Sequence, residues 1–158
     1  MRLRIGVISD THRYTGVIKK VIKVFENPDV IIHLGDNVQD VSAIEAIYKG
    51  KIINVKGNCD FMPDGPGEIF EEIGGKKFFI THGHKYDVKF GIEKLKYRAS
   101  ELGADVVLFG HTHISKIVFE NGVWYINPGS PSLPRDGINS VAVIDIENDN
   151  INACIKEV

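Results

Sequence analysis

Leu3-Arg4-Ile5-Gly6-Val7-Ile8-Ser9-Asp10-Thr11-His12 decides the fold: a near-continuous apolar run breaks off into an aspartate, a threonine and a histidine. Apolar residues without alternation are what a strand buried on both faces of a parallel sheet requires. With 43% hydrophobic residues in 158, the chain can bury one substantial core without disulfides.

Outward from that strand, Thr15 is placed to cap a helix in which Val17, Ile18, Val21, Ile22, Val24 and Phe25 recur at helical spacing, and Asn27-Pro28 ends it. Asp29 to Leu34 reads as a second strand, Val41 to Tyr48 as a helix stopped by Gly50, and Lys51 to Val55 as a third strand. Strand, helix, strand, helix, strand is a doubly wound half-domain. Glu68 to Ile73 and Lys77 to Thr81 flank Gly74-Gly75, which suits a two-residue hairpin turn. Ile92, Leu95, Lys96, Ala99 and Leu102 form the inner stripe of a further helix with Gly103 as its stop, and Asp105 to Phe109 is a fourth parallel strand. From Ile114 the pattern turns antiparallel, with hairpin turns at Asn121-Gly122 and at Glu147 to Asn150. The expected class is α/β, a four-layer α-β-β-α sandwich of two mixed sheets packed face to face.

Asp10, His12, Asp36, Asn58, His82, His84, His111 and His113 all fall just after apolar runs. Strand ends of open α/β sheets meet at the edge where such folds carry their sites. Taken singly, Asp10-Thr11-His12, Gly35-Asp36-Asn37 and Gly57-Asn58 also suit polar turns. Repetition of the pattern at successive strand ends favours one shared pocket instead. Oxygen and nitrogen donors of these types suit divalent metals. Two such ions against two carboxylates leave net positive charge, matched to a phosphodiester anion. His33 lies inside a predicted strand, where a hydrogen-bonded core histidine is expected.

Nineteen Lys and Arg against 21 Asp and Glu give a net charge of -2, which argues against a broad basic surface for nucleic acid. Cys59 and Cys154 form no C-x-x-C pair and are expected to be reduced thiols. The first apolar run is too short for a signal-peptide core, and no later run approaches the ~20 residues of a membrane helix. A cytoplasmic protein is expected.

The ordered series Asp10-x-His12, Gly35-Asp36, Gly57-Asn58, His82 and Gly110-His111-x-His113 resembles the calcineurin-like metallophosphoesterase superfamily. Gly57-Asn58-Cys59-Asp60, His82-Gly83-His84 and Asn127-Pro128-Gly129-Ser130 make it similar to the small YfcE-like phosphodiesterase branch, and also to the Vps29 subunit of retromer. The resemblance implies one metallophosphoesterase domain over residues 1–158 and two divalent ions, manganese or nickel, with iron or zinc as alternatives. It implies that Asp10, His12 and His113 bind one ion, that Asn58, His82 and His111 bind the other, and that Asp36 bridges them. The activity implied is attack of an activated water on a small phosphodiester, with Asp36, Asn58, Cys59 and His84 as the catalytic set. Phosphomonoester hydrolysis and a Vps29-like interaction module are the alternatives. A superfamily nuclease would need a DNA-binding domain for which this chain has no room, so no stable nucleic-acid complex is expected, and self-association is left open. The superfamily motif has histidine after the asparagine, where it binds phosphate and assists the leaving group; this chain has Cys59. His84 is the candidate to supply the missing proton, and Arg13 the candidate to contact a phosphate oxygen.

Overall fold

β1 (Arg2–Ile8) is a central strand, and Ile5 to Ile8 are buried as their unbroken apolar character requires. It pairs in parallel with β2 (Val30–His33), which continues in parallel to β3 (Lys51–Asn54). On its other side β1 is antiparallel to β9 (Ser140–Glu147), and β10 (Asn150–Glu157) closes that edge. The second sheet has five strands in the order β4 (Glu68–Ile73), β5 (Lys76–Thr81), β6 (Val106–Leu108), β8 (Val123–Pro128) and β7 (Ser115–Glu120). The computed structural model describes residues 2–12, 15–36, 40–60 and 66–158.

Three apolar clusters define the layers. The first lies between the sheets and joins Ile5, Val7 and Ile32 of one to Phe78, Val106 and Ile126 of the other. The second packs the outer face of the second sheet under α3 (Glu93–Leu102), through Phe79, Val107, Leu95 and Ala99. The third packs the outer face of the first sheet under α1 (Ile18–Phe25) and α2 (Asp40–Glu45), through Ile8, Ile31, Phe25 and Ile44. The result is the expected four-layer sandwich of two mixed sheets. Truncating a fully buried Phe such as Phe78 to Ala would cost about 3–5 kcal/mol.

Three hairpin turns agree with the residues that form them. Gly74-Gly75, Asn121-Gly122 and Asn148-Asp149 all have positive φ at both central positions, the geometry of the tight turns that match strand twist. Other expectations need correction. Thr15 opens a 3-10 turn (Thr15–Val17) and α1 starts only at Ile18, with no side-chain cap bond from Val17; the Thr15 side chain lies outside what is described. α2 ends at Glu45, and its last turn is closed by Ile47 and Tyr48 amides on the Ile44 carbonyl, well before Gly50. Lys96 does not join the buried stripe of α3, because its ammonium reaches out to Glu120 of β7 at 2.7 Å. The region after Ile114 is not purely antiparallel, since β8 runs parallel to β6 while pairing antiparallel with β7.

Candidate metal centre

The polar residues that follow β1, β2 and β3 come from the first sheet, and those that follow β5 and β6 come from the second. The site is therefore a seam between two sheet edges rather than one edge of a single parallel sheet. Side chains cross that seam directly. Asp10 Oδ2 accepts the His111 amide at 3.0 Å and the Ser9 hydroxyl at 2.6 Å.

Seven donor side chains converge there in two groups. Asp10, His12, Asp36 and His113 place one ligand atom each within 4.8 Å of one another, and so do Asp36, His82 and His111. Asn58, on an exposed turn, joins the second group with its Oδ1 3.1 Å from His82 Nε2. Asp36 belongs to both groups, its Oδ2 lying 3.5 Å from His12 Nε2 and 3.4 Å from His82 Nε2.

The histidine ring orientations are set from behind. His82 Nδ1 is 2.8 Å from the Leu34 carbonyl and His113 Nδ1 is 2.6 Å from the Leu133 carbonyl, so each Nδ1 donates outward and each Nε2 faces inward, where the neutral ring carries a lone pair. His113 Nε2 then meets His12 Nε2 at 3.2 Å and Asp10 Oδ1 at 3.3 Å. Asp10 Oδ1 is buried and, among the described residues, has no hydrogen-bond partner. Acceptor atoms crowded at these separations repel one another unless a cation lies among them, so the donor set fits a divalent ion.

The backbone is bent to bring these donors together. Asp10, His12, Asp36, His111 and His113 all have positive φ, between 48° and 70°. Non-glycine residues adopt that region at a cost of order 1–3 kcal/mol each, less for aspartate, and retain it where the surroundings over-determine it. Two glycines let the turns close. A Cβ on Gly57 would lie 2.2 Å from Asp36 Oδ1, and one on Gly35 would lie 2.5 Å from the Gly57 nitrogen, so neither position admits a side chain.

The electrostatics follow from the crowding. Burial alone would raise the Asp36 carboxyl, but the His82 hydrogen bond and charge, the Cys59 amide and the His12 charge outweigh it and hold Asp36 well below the usual carboxylate range. Burial likewise disfavours the charged form of His82, yet Asp36 and Asp10 reverse that and raise it. His113 is raised by the Asp10 carboxylate, whose Oδ1 lies 3.3 Å from its Nε2, against a smaller burial effect. His111 goes the other way, to about 4, through burial and then the His82 and Lys89 charges.

The remaining expected residues divide. His84 stands beside the site, its ring centroid 5.5 Å from that of His82, and its Nδ1 is buried with no partner among the described residues. Its pKa is lowered by burial and by the His82 charge. Cys59 sends its amide to Asp36 Oδ1 at 2.9 Å, while burial and the Asp36 charge raise its thiol. Both cysteines are free thiols. His33 is fully buried, with Nδ1 accepting the Gly35 amide at 3.1 Å and Nε2 against Thr11 Oγ1 at 3.1 Å, so it is the core histidine expected. Arg13 lies outside the described residues.

Three further residues hold the site in shape, and reading the sequence alone does not find their roles. Asp60 Oδ2 accepts the Gly57 amide at 2.7 Å and the Asp36 amide at 3.0 Å, tying the second strand end to the third. Asn127 Nδ2 donates to the Gly110 carbonyl and to Thr112 Oγ1, at 3.1 and 2.9 Å, bracing the loop of His111 and His113. Ser130 Oγ donates to the Asp10 carbonyl at 2.9 Å. The available signals are local: a carboxylate three residues after Gly57, and an Asn whose Oδ1 accepts the amide two residues on, as Asn127 does from Gly129.

The profile of the calcineurin-like phosphoesterase superfamily domain matches residues 3–149. The chain belongs to that superfamily. Among relatives, a probable metallophosphoesterase of Bacillus subtilis, YsnB, is 38% identical over 93% of this chain and 86% of its own. Phosphodiesterase MJ0936 of Methanocaldococcus jannaschii is 34% identical over 98% of this chain and 100% of its own. A solved structure of a predicted phosphoesterase from Streptococcus pneumoniae superposes with a TM-score of 0.84 at 31% identity, covering 99% of this chain and 90% of that one. Vps29 of Cryptosporidium parvum, at 19% identity and a TM-score of 0.76 over 99% of this chain and 98% of its own, shares the fold. So does YfcE of Escherichia coli, at 22% and 0.70 over 94% and 91%. As a calcineurin-like phosphoesterase, the chain is a metal-dependent hydrolase of phosphoesters. Among the described residues no helix is long and apolar enough to cross a membrane.

Proposed function

We propose that this phosphoesterase is a two-metal phosphodiesterase, with Asp10, His12 and His113 on one ion, Asn58, His82 and His111 on the other, and Asp36 between them. The observation that carries the reading is the membership of Asp36 in both donor groups. Two divalent ions so held supply Lewis acidity toward phosphate oxygens and lower the pKa of a water to the neutral range. Manganese, nickel, iron and zinc all suit these oxygen and nitrogen donors. The phosphodiesterase named among the relatives supports a diester over a monoester.

The chain's own residues define the rest of the chemistry. Asp36 stays ionised, because its neighbours stabilise the carboxylate. Asn58 contributes an uncharged oxygen and so leaves more of the positive charge for the substrate anion. Cys59 keeps its proton at neutral pH and His84 sheds its charge, so neither is the imidazolium acid that a poor leaving group needs. Diesters with good leaving groups are therefore the substrates this site serves best. Free thiols at Cys59 and Cys154 suit a reducing cytoplasm.

The test is to strip the protein with chelator, re-metallate it one ion at a time, and assay bis(p-nitrophenyl) phosphate against p-nitrophenyl phosphate. The expected result is near-zero activity without metal and diester cleavage restored by manganese or nickel. Full diester activity with no metal found by elemental analysis would refute the two-metal reading. Preferential cleavage of the monoester would make the chain a phosphomonoesterase. No turnover of either would favour an interaction module.

A further inference from the structure

The loop that carries His111 and His113 has a second use for its residues. Phe109 precedes it, Thr112 lies within it, Ile114 follows it, and all three line a cavity of about 360 Å³. That volume falls in the range of small-molecule sites, about 300–1,000 Å³. Val88 and Ile92 complete the apolar lining, and Ile114 is 46% exposed, so apolar surface is offered to a ligand.

Three cations also line the cavity: Lys89, Lys116 and Arg135. Among the described residues no carboxylate lines it and none of the three makes an ion pair, although the chain as a whole is net acidic at -2. Their placement ties them to the metal centre. The Arg135 amide donates to the His113 carbonyl at 2.9 Å, and Lys116 pairs in register with Asn127, whose side chain braces Gly110 and Thr112. Unpaired cations around an apolar cavity next to a phosphate-ester site match a ligand with an apolar body and an anion at its far end.

We propose that this cavity is the subsite for one ester arm of the substrate, and that the favoured substrates are phosphodiesters whose arm has an apolar body ending in a second anion. The proposal rests on the diesterase reading and narrows its substrate class. Lys89, Lys116 and Arg135 hold the second anion, and Ile114 with its apolar neighbours packs the body of the arm. The shared chemistry is a carboxylate or a phosphoryl group.

The test uses the metal-loaded enzyme and diesters that share a p-nitrophenyl leaving group. One carries a plain phenyl arm, the second a para-carboxyphenyl arm, and the third a para-phosphonophenyl arm. In the wild-type protein, KM for the charged arms should be about tenfold lower than for phenyl at low salt, since exposed charge pairs each contribute modestly. The preference should fade as salt rises. In the triple variant Lys89→Ala, Lys116→Ala, Arg135→Ala, the ratio of KM values should fall to about one, a ratio that cancels any general effect on the site. The preferred charged arm tells carboxylate from phosphoryl. A wild-type ratio of one, or a ratio that survives in a folded triple variant, overturns the proposal.

Calorimetric titration with phenylphosphonate and para-carboxyphenylphosphonate reads the cavity without turnover. Tighter binding of the charged probe, lost in the triple variant, supports the subsite even if no diester is cleaved, in which case the diesterase reading fails alone. Equal binding of the two probes to wild-type protein overturns the subsite alone.

Discussion

Asp36 divides its two oxygens between backbone and site: Oδ1 accepts the Cys59 amide at 2.9 Å, while Oδ2 faces the nitrogens of His12 and His82. A residue placed in both donor groups is worth more than one placed in either. Asp36→Asn should lower kcat/KM by more than about 100-fold, beyond what loss of a residue merely supporting a ligand costs, and by more than His12→Ala does. Metal analysis should show fewer ions bound in the Asp36 variant; both ions retained at wild-type rate would remove the bridging assignment. Cys59 offers a second test at this scale. If a histidine there protonates the departing alkoxide, Cys59→His should raise single-turnover rates on alkyl diesters by about 10²-fold and leave aryl diesters little changed. Equal changes on both would shift the search to His84. The candidate donors themselves are legible in the sequence because each is a carboxylate, an imidazole or, at Asn58, a carboxamide stranded after an apolar run. Asp60, Asn127 and Ser130 are not, because they act on backbone groups of loops up to 120 residues away. Spacing reaches only their local bonds, Asp60 with Gly57 and Asn127 with Gly129, and not the distant ones.

At the scale of elements, hairpins with glycine or asparagine at both turn positions are readable in advance, since few residues tolerate that backbone. Helix starts are less so. α1 begins without a side-chain cap, and what steadies its other end comes from a strand: the Arg4 guanidinium on β1 donates to the Phe25 carbonyl at 3.2 Å. The same guanidinium grips Asp145 of β9 through two bonds of 2.8 and 2.9 Å, Arg4 and Asp145 being paired in register. The Arg4 bond and charge hold the Asp145 carboxyl below its ordinary value despite some burial. The folded form therefore takes up this proton less readily than the unfolded chain. The pair's contribution is full above the unfolded value of about 3.9 and is lost as pH falls through the lower folded value. Asp145→Asn should cost about 1 kcal/mol in urea titrations at neutral pH, solvent screening keeping it modest. The difference from wild type should shrink toward zero in acid; a constant difference across pH would assign the effect to packing.

For the whole molecule, the sandwich is foreseeable from the order of patterns, whereas the parallel placement of β8 beside β6 is not, because a strand that follows a hairpin carries no mark of its other neighbour. The seam has the same origin: Asp10, His12, Asp36 and Asn58 come from loops of one sheet, and His82, His111 and His113 from loops of the other. Bound ions should raise Tm, by about 2.7 kcal/mol of stability at a hundredfold excess over Kd. Because Asp36 and Asp10 raise His82 and Asp10 raises His113, protons compete with metal from above the ordinary histidine value downward. The metal-induced rise in Tm should therefore be larger at pH 8 than at pH 6, and an equal rise at both would contradict it. The seam has a further consequence for the time course of folding. Neither sheet alone presents a complete set of donors, so an ion gains its full grip only after the two edges have met, late on the route to the native state. An interaction formed that late slows escape rather than arrival. Metal should lengthen the lifetime of the folded protein while leaving its rate of formation nearly untouched.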